Sequence, residues 1–215
     1  MKTSVQNQSK SGLTLVEVLV VIAVLAILAA FLLSTLPPVS GRENRITCVN
    51  NLKQVALAFR IYAGDNRNHY PTDLSTNDQP VVNELTPVYQ YFQSLSNEIG
   101  TVKVVICPAD EKRKVAQNFS TLRDVNISYF VGLDANENLP TSILLGDRNL
   151  KNGVEPDHGI LRLTTNQMVE FTEEIHSRQG NIAIGDGSVQ RVSSARLRSE
   201  IIRNLPLATN RIKLP

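Results

Sequence analysis

The chain has no tryptophan, and its aromatic residues amount to 5% of 215. It also lacks an excess of charge of one sign. The formal net charge is +2, so no global basic field argues for nucleic acid. Cysteine is nearly absent. Cys48 and Cys107 are too few for a disulfide framework, and no CxxC or Cys/His spacing points to zinc. One bridge between them stays open if that part of the chain meets an oxidising compartment. Otherwise both are small buried apolar residues. Internal repeats and low-complexity tracts are missing too. The length suits one ordinary domain with an appendage, not two large domains.

Acids are missing from residues 1–12, which are polar and carry Lys2 and Lys10. The run from Leu13 to Leu33 is then almost wholly apolar. About 20 such residues span the roughly 30 Å core of a bilayer as a helix. The positive-inside rule puts the lysine-bearing end in the cytoplasm. Three readings compete: a secretory signal peptide, a plain signal anchor, and a leader cut ahead of the apolar run. A signal peptide has a shorter apolar core and a small-residue cleavage site, and STLPPVSG after Leu33 is a poor match. Glu17 separates the other two. A carboxylate inside lipid costs roughly 2.5 kcal/mol or more and calls for a function and a partner, which a plain anchor does not supply.

The segment Gly12-Leu13-Thr14-Leu15-Val16-Glu17 resembles the prepilin processing site of type IV pilins and type II secretion pseudopilins. The resemblance implies cleavage after Gly12 by a membrane peptidase and methylation of the new amine on Leu13. It implies that Glu17 pairs with the terminal amine of a neighbouring subunit during assembly, a cation for a carboxylate in lipid. Leu13 stands where the family more often has Phe. The implied partners are the prepilin peptidase/methyltransferase, other pilin-like subunits, an inner-membrane assembly platform and the lipid bilayer. The implied location is the bacterial inner membrane in a single pass, with the N-terminus cytoplasmic and the head periplasmic, or a filament at the cell surface.

Pro37-Pro38 and Ser40-Gly41 predict a kink or break, since proline costs about 3 kcal/mol inside a helix. The helical pattern resumes near Arg42. Cys48, Leu52, Val55, Phe59 and Tyr62 form one face, and the helix should end near Gly64-Asp65-Asn66. The stretch from Cys48 to Leu74, with Tyr62, Asp65, Asn66, Tyr70, Pro71 and Thr72, is similar to a second pseudopilin signature.

A short helix follows from about Pro87 to Leu95, with Thr86 as N-cap. Strands are expected at Thr101–Ile106, Ile127–Val131, Ser142–Leu145 and Ile160–Thr164. Asn181–Ile184 and Ser188–Val192 flank the hairpin turn Gly185-Asp186-Gly187, and a last helix runs from about Ala195 to Asn204 behind Ser194. The expected fold is α+β and pilin-like: a long N-terminal membrane-spanning helix, kinked near Pro37-Pro38, packed by a small antiparallel sheet. The expected segments are a leader (1–12), a transmembrane and assembly helix (13–36), the outer half of the stalk (37–66) and a globular head (67–215).

His176, nine residues and then Asp186-Gly187 resemble a pattern in pilin-like proteins of planctomycete and verrucomicrobia type. His176 and Asp186 read first as structural, a bond across a sheet edge and a tight turn. A metal role stays open, but calcium needs several close oxygen ligands, which this spacing does not show. A hydrolase built on the pair lacks a clear nucleophile beyond Ser188. His158 reads as a loop residue, and Asp147-Arg148 as a local ion pair or turn. The basic tail, with Arg191, Arg196, Arg198, Arg203, Arg211 and Lys213, reads as a solvated helix face and terminus, with lipid headgroups or DNA as lesser options. The expected function is that of a non-enzymatic filament subunit needing no cofactor. The alternative is a membrane-anchored periplasmic binding module that does not polymerise.

Overall fold

The computed structural model describes residues 14–34, 40–76, 79–81 and 84–215. The expected kink at Pro37-Pro38 lies outside them. The chain divides into two compact units, 1–39 and Ser40–Pro215.

In the first unit, helix α1 (Leu15–Ser34) is long and apolar enough to cross a membrane. None of the side chains in its apolar window is buried. Large residues such as Leu19, Leu25 and Phe31 are exposed along it, so its apolar surface remains free for lipid or other helices.

The second unit starts with helix α2 (Ser40–Asp65). A two-stranded ribbon follows, β1 (Leu74–Thr76) with β2 (Gln79–Val81), then the short helices α3 (Val88–Ser94) and α4 (Ser96–Ile99). The remaining strands are β3 (Tyr129–Gly132), β4 (Ile143–Asp147), β5 (Leu150–Lys151), β6 (Ile160–Thr164), β7 (Glu170–Phe171), β8 (Gln179–Ile184), β9 (Val189–Ser193) and β10 (Thr209–Lys213). Helix α5 (Ser194–Arg196) continues through helical turns to Asn204. Six strands form one sheet in the order β6-β10-β3-β4-β8-β9, antiparallel throughout, and β5 pairs with β7 apart from it. The arrangement is α+β and consistent with a pilin-like fold.

Alternation along the strands sorts the core into two layers. Tyr129, Val131, Leu145 and Ala183 pack with the α2 stripe of Cys48, Leu52, Val55 and Phe59. Phe130, Ile143, Ile182, Ile212 and Val192 pack with Leu197, Ile201 and Ile202 on the other face. Both faces are therefore covered, and β3 and β4 are buried along their whole length. Phe59 meets Tyr70 and Phe92 edge-on, at centroid distances of 6.0 and 6.2 Å. The apolar stripe of α2, expected as the surface against which the head folds, lies in the core of the second unit, to which α2 belongs.

Three local expectations are corrected. Val102–Val105, expected as strand, is a 3-10 turn that buries Val102, Val104 and Val105 and starts at Thr101, whose hydroxyl accepts from Lys103 N. Pro87 itself, not Thr86, occupies the N-cap of α3. The end of the basic tail, Arg211 and Lys213, lies in β10, an inner strand between β6 and β3. There Lys213 is 5% exposed and Arg211 is held by Asp134 and Glu84.

Candidate functional site

Gly12 and Leu13 lie outside the described residues. The residues that follow open α1 with a reciprocal cap. The Glu17 carboxylate accepts from Thr14 N (2.8 Å) and Thr14 Oγ1 (2.9 Å), while Glu17 N donates to Thr14 Oγ1 (3.3 Å). Thr-x-x-Glu is a capping box, so Glu17 satisfies backbone donors at the start of its own helix. That role was legible in the same four letters and is compatible with a second one. The carboxylate stays exposed and sits at the helix end nearest residue 13.

A second constellation lies between α2 and the sheet. Cys48 on α2 and Cys107 beyond the 3-10 turn are joined by a disulfide, with Cα atoms 4.8 Å apart and a sequence separation of 59. Both cysteines are fully buried. His176 Nε2 stands 3.3 Å from Cys107 Sγ and 3.7 Å from Asp147 Oδ2. The side chains of His176 and Asp147 are 3% and 0% exposed. Burial pushes the Asp147 carboxyl up to about 7, although donors from Asn181 pull the other way. Burial, and then the charges of Arg45 and Arg191, push the His176 imidazole down to about 4, which keeps it neutral and leaves it a nitrogen lone pair. Asp147 Oδ2 accepts from Asn181 N (2.7 Å) and Nδ2 (3.0 Å). Asp147 Oδ1 is buried with no hydrogen-bond partner among the described residues.

The loop that carries His176 is strained and clamped. His176, Ser177 and Arg178 all have left-handed backbones, with φ of 56°, 50° and 61°. Each costs about 1–3 kcal/mol in a residue with a side chain. Arg45 donates to His176 O (2.7 Å) and Gln179 Oε1 (2.6 Å). Asn149 Nδ2 donates to Thr172 O (3.0 Å) and Ile175 O (2.9 Å). Neither Arg45 nor Asn149 has a one-dimensional signature. Asp147 had a weak one, an acid closing the apolar run Ile143–Gly146. Asp147 and Arg148 do not pair with each other. Arg148 turns away to grip Asp110 with two bonds of 2.7 Å and to reach Glu174 at 2.9 Å.

Asp186 stands at the far end of β8 from His176, a separation of roughly 20 Å for six strand residues. The two do not form one site. Asp186 Oδ1 accepts from Ser188 N (2.7 Å) and closes the turn, while Asp186 O accepts from Arg60 of α2 (2.9 Å). Tyr70 Oη donates to Gly185 O (3.2 Å), so the Tyr-Pro-Thr turn docks against the Asp-Gly turn. Gly187 has φ +84°, and a Cβ there would stand 3.0 Å from Arg60 Cδ. His158 lies in an exposed turn beside Asp157.

Comparison with curated proteins and with solved structures gives no match to either. Residues 7–33 match the family model of the prokaryotic N-terminal methylation motif. That motif implies processing by prepilin peptidase and a pilin-like assembly context, and with the apolar helix behind it suggests membrane anchoring. The matched motif, α1 and the α+β second unit are together consistent with a type IV pilin-like protein.

Proposed function

We propose that this chain is a non-enzymatic structural subunit of a type IV pilus-like or type II secretion pseudopilus filament. Prepilin peptidase would cut after Gly12 and the amine of Leu13 would be methylated. The observation that carries this reading is the methylation motif at residues 7–33, which leads into a helix whose large apolar side chains from Leu15 to Leu32 are exposed and whose first turn holds one acid, Glu17. An exposed apolar helix suits heterologous packing repeated along a filament. The Glu17 carboxylate lies one turn from the residue that would bear the new amine. It could release the Thr14 donors and meet the amine of a neighbour, or hold the amine of its own chain until assembly.

The processing step is tested by intact mass and N-terminal sequencing of the protein from native membranes. A chain that starts at Leu13 with one extra methyl group is the expected result. A start at Met1, or a cut after Leu33, would remove the reading. Glu17→Ala separates filament subunit from the alternative, a membrane-anchored periplasmic binding module. Sheared filament fractions should lose the variant while the membrane fraction keeps it. Wild type and variant alike confined to the membrane fraction, with neither in sheared filaments, favour the anchored module. The separation of His176 from Asp186 speaks against a tethered hydrolase built on that pair.

A further inference from the structure

The groups around the Cys48–Cys107 bond exceed what a structural disulfide needs. A buried disulfide has no unmet hydrogen-bond demand and is stable among apolar side chains. Here an imidazole nitrogen is directed at one sulfur, 3.3 Å away, by a loop of three left-handed residues. The Cys48, Cys107 and His176 ligand atoms all lie within 4.8 Å of one another. A buried carboxylate stands 3.7 Å from the same nitrogen and keeps one oxygen without a partner. Backbone strain retained next to a convergent set of donor atoms marks a site rather than packing.

We propose that in its dithiol form the second unit binds one soft divalent cation of the zinc class through Cys48 Sγ, Cys107 Sγ and His176 Nε2, with the fourth position taken by water. The disulfide and the metal site are two alternative states of the same atoms. A dithiol reductant delivers two electrons and two protons to the sulfur–sulfur bond and becomes a cyclic disulfide. The two thiols then pass their protons to water as the thiolates close on the cation. Metal–sulfur bonds of about 2.3 Å and metal–nitrogen bonds of about 2.0–2.1 Å place tetrahedral ligand atoms at separations of this order. Thiolate and imidazole together select zinc-like ions over calcium or magnesium. Two thiolates balance the charge of a divalent ion, and the buried Asp147 carboxylate stands 3.7 Å from His176 Nε2, beside the three donors rather than among them. Arg45 and Asn149 hold the loop that aims the imidazole, as outer partners of a metal site do.

The test uses the full chain in detergent micelles, reduced with a dithiol, desalted without oxygen and titrated with Co2+. The expected result is a thiolate-to-cobalt charge-transfer band that saturates at one equivalent, together with the visible bands of tetrahedral cobalt. The oxidised chain should show neither. His176→Ala should weaken Co2+ binding by at least the about 10–100-fold that loss of an outer-shell partner costs. Disulfide mapping of the oxidised variant verifies that the two sulfurs still meet in it. A reduced wild-type chain without the charge-transfer band, or a His176→Ala chain that binds Co2+ as tightly as wild type, would overturn the proposal.

Discussion

At the scale of single residues, the cost of a substitution follows from what the side chain leaves behind. The disulfide closes a long loop, so Cys48→Ser should lower the stability of the oxidised protein by about 2–5 kcal/mol, measured by denaturant unfolding. Arg148→Ala should cost about 3–5 kcal/mol, because it strands Asp110, whose side chain is 1% exposed. A loss below about 1 kcal/mol would mean that water replaces the guanidinium. Gly12, Leu13 and Glu17 were singled out because an acid in an apolar run is rare enough to need a reason, and their cleavage, methylation and assembly roles are proposals. The cysteine pair was legible only as an option. Asp147 was legible only weakly, as an acid closing an apolar run, since nothing in a linear string says that an acid next to an arginine will face inward while the arginine faces out.

At the scale of elements, local pattern succeeded where turns and alternation agree. The hairpin of β8 and β9 was readable from apolar runs that flank Gly185-Asp186-Gly187. Its turn should be intolerant: Gly187→Val forces a β-branched residue to φ +84° against Arg60 and should cost about 1–3 kcal/mol, read in the same unfolding experiment. Pattern failed at Val102–Val105, where β-branched residues favour strand by propensity but the Thr101 cap and burial on α2 favour a 3-10 turn. It failed again at β10, whose charged residues read as solvated. Their charges are matched from outside the strand: Arg211 by Asp134 and Glu84, and Lys213 by the carbonyls of Glu84 and His158. Arg211→Ala should therefore cost about 1.5–3 kcal/mol. An exposed tail residue would cost almost nothing.

At the scale of the whole molecule, composition and one apolar run indicated an appendage plus a single α+β domain, and both are present. Helix α2, expected as the outer half of a stalk against which the head folds, carries its apolar stripe into the core of the second unit. Its stripe has the spacing of any amphipathic helix, and spacing alone does not say whether the partner is another subunit or the chain's own sheet.

The same disulfide also changes how the molecule would carry a pulling force. Tension entering through α1 and reaching α2 arrives at Cys48 and crosses the sulfur–sulfur bond directly to Cys107. The intervening residues, with β1, β2, α3 and α4, are then bypassed and bear no load. Stretched between its ends, the oxidised chain should be shorter at full extension than the reduced chain by roughly 200 Å, the contour of the 59-residue interval. Single-molecule extension before and after reduction measures that difference. A chain with this bond in place yields less under strain, and its slack is locked away until a reductant arrives.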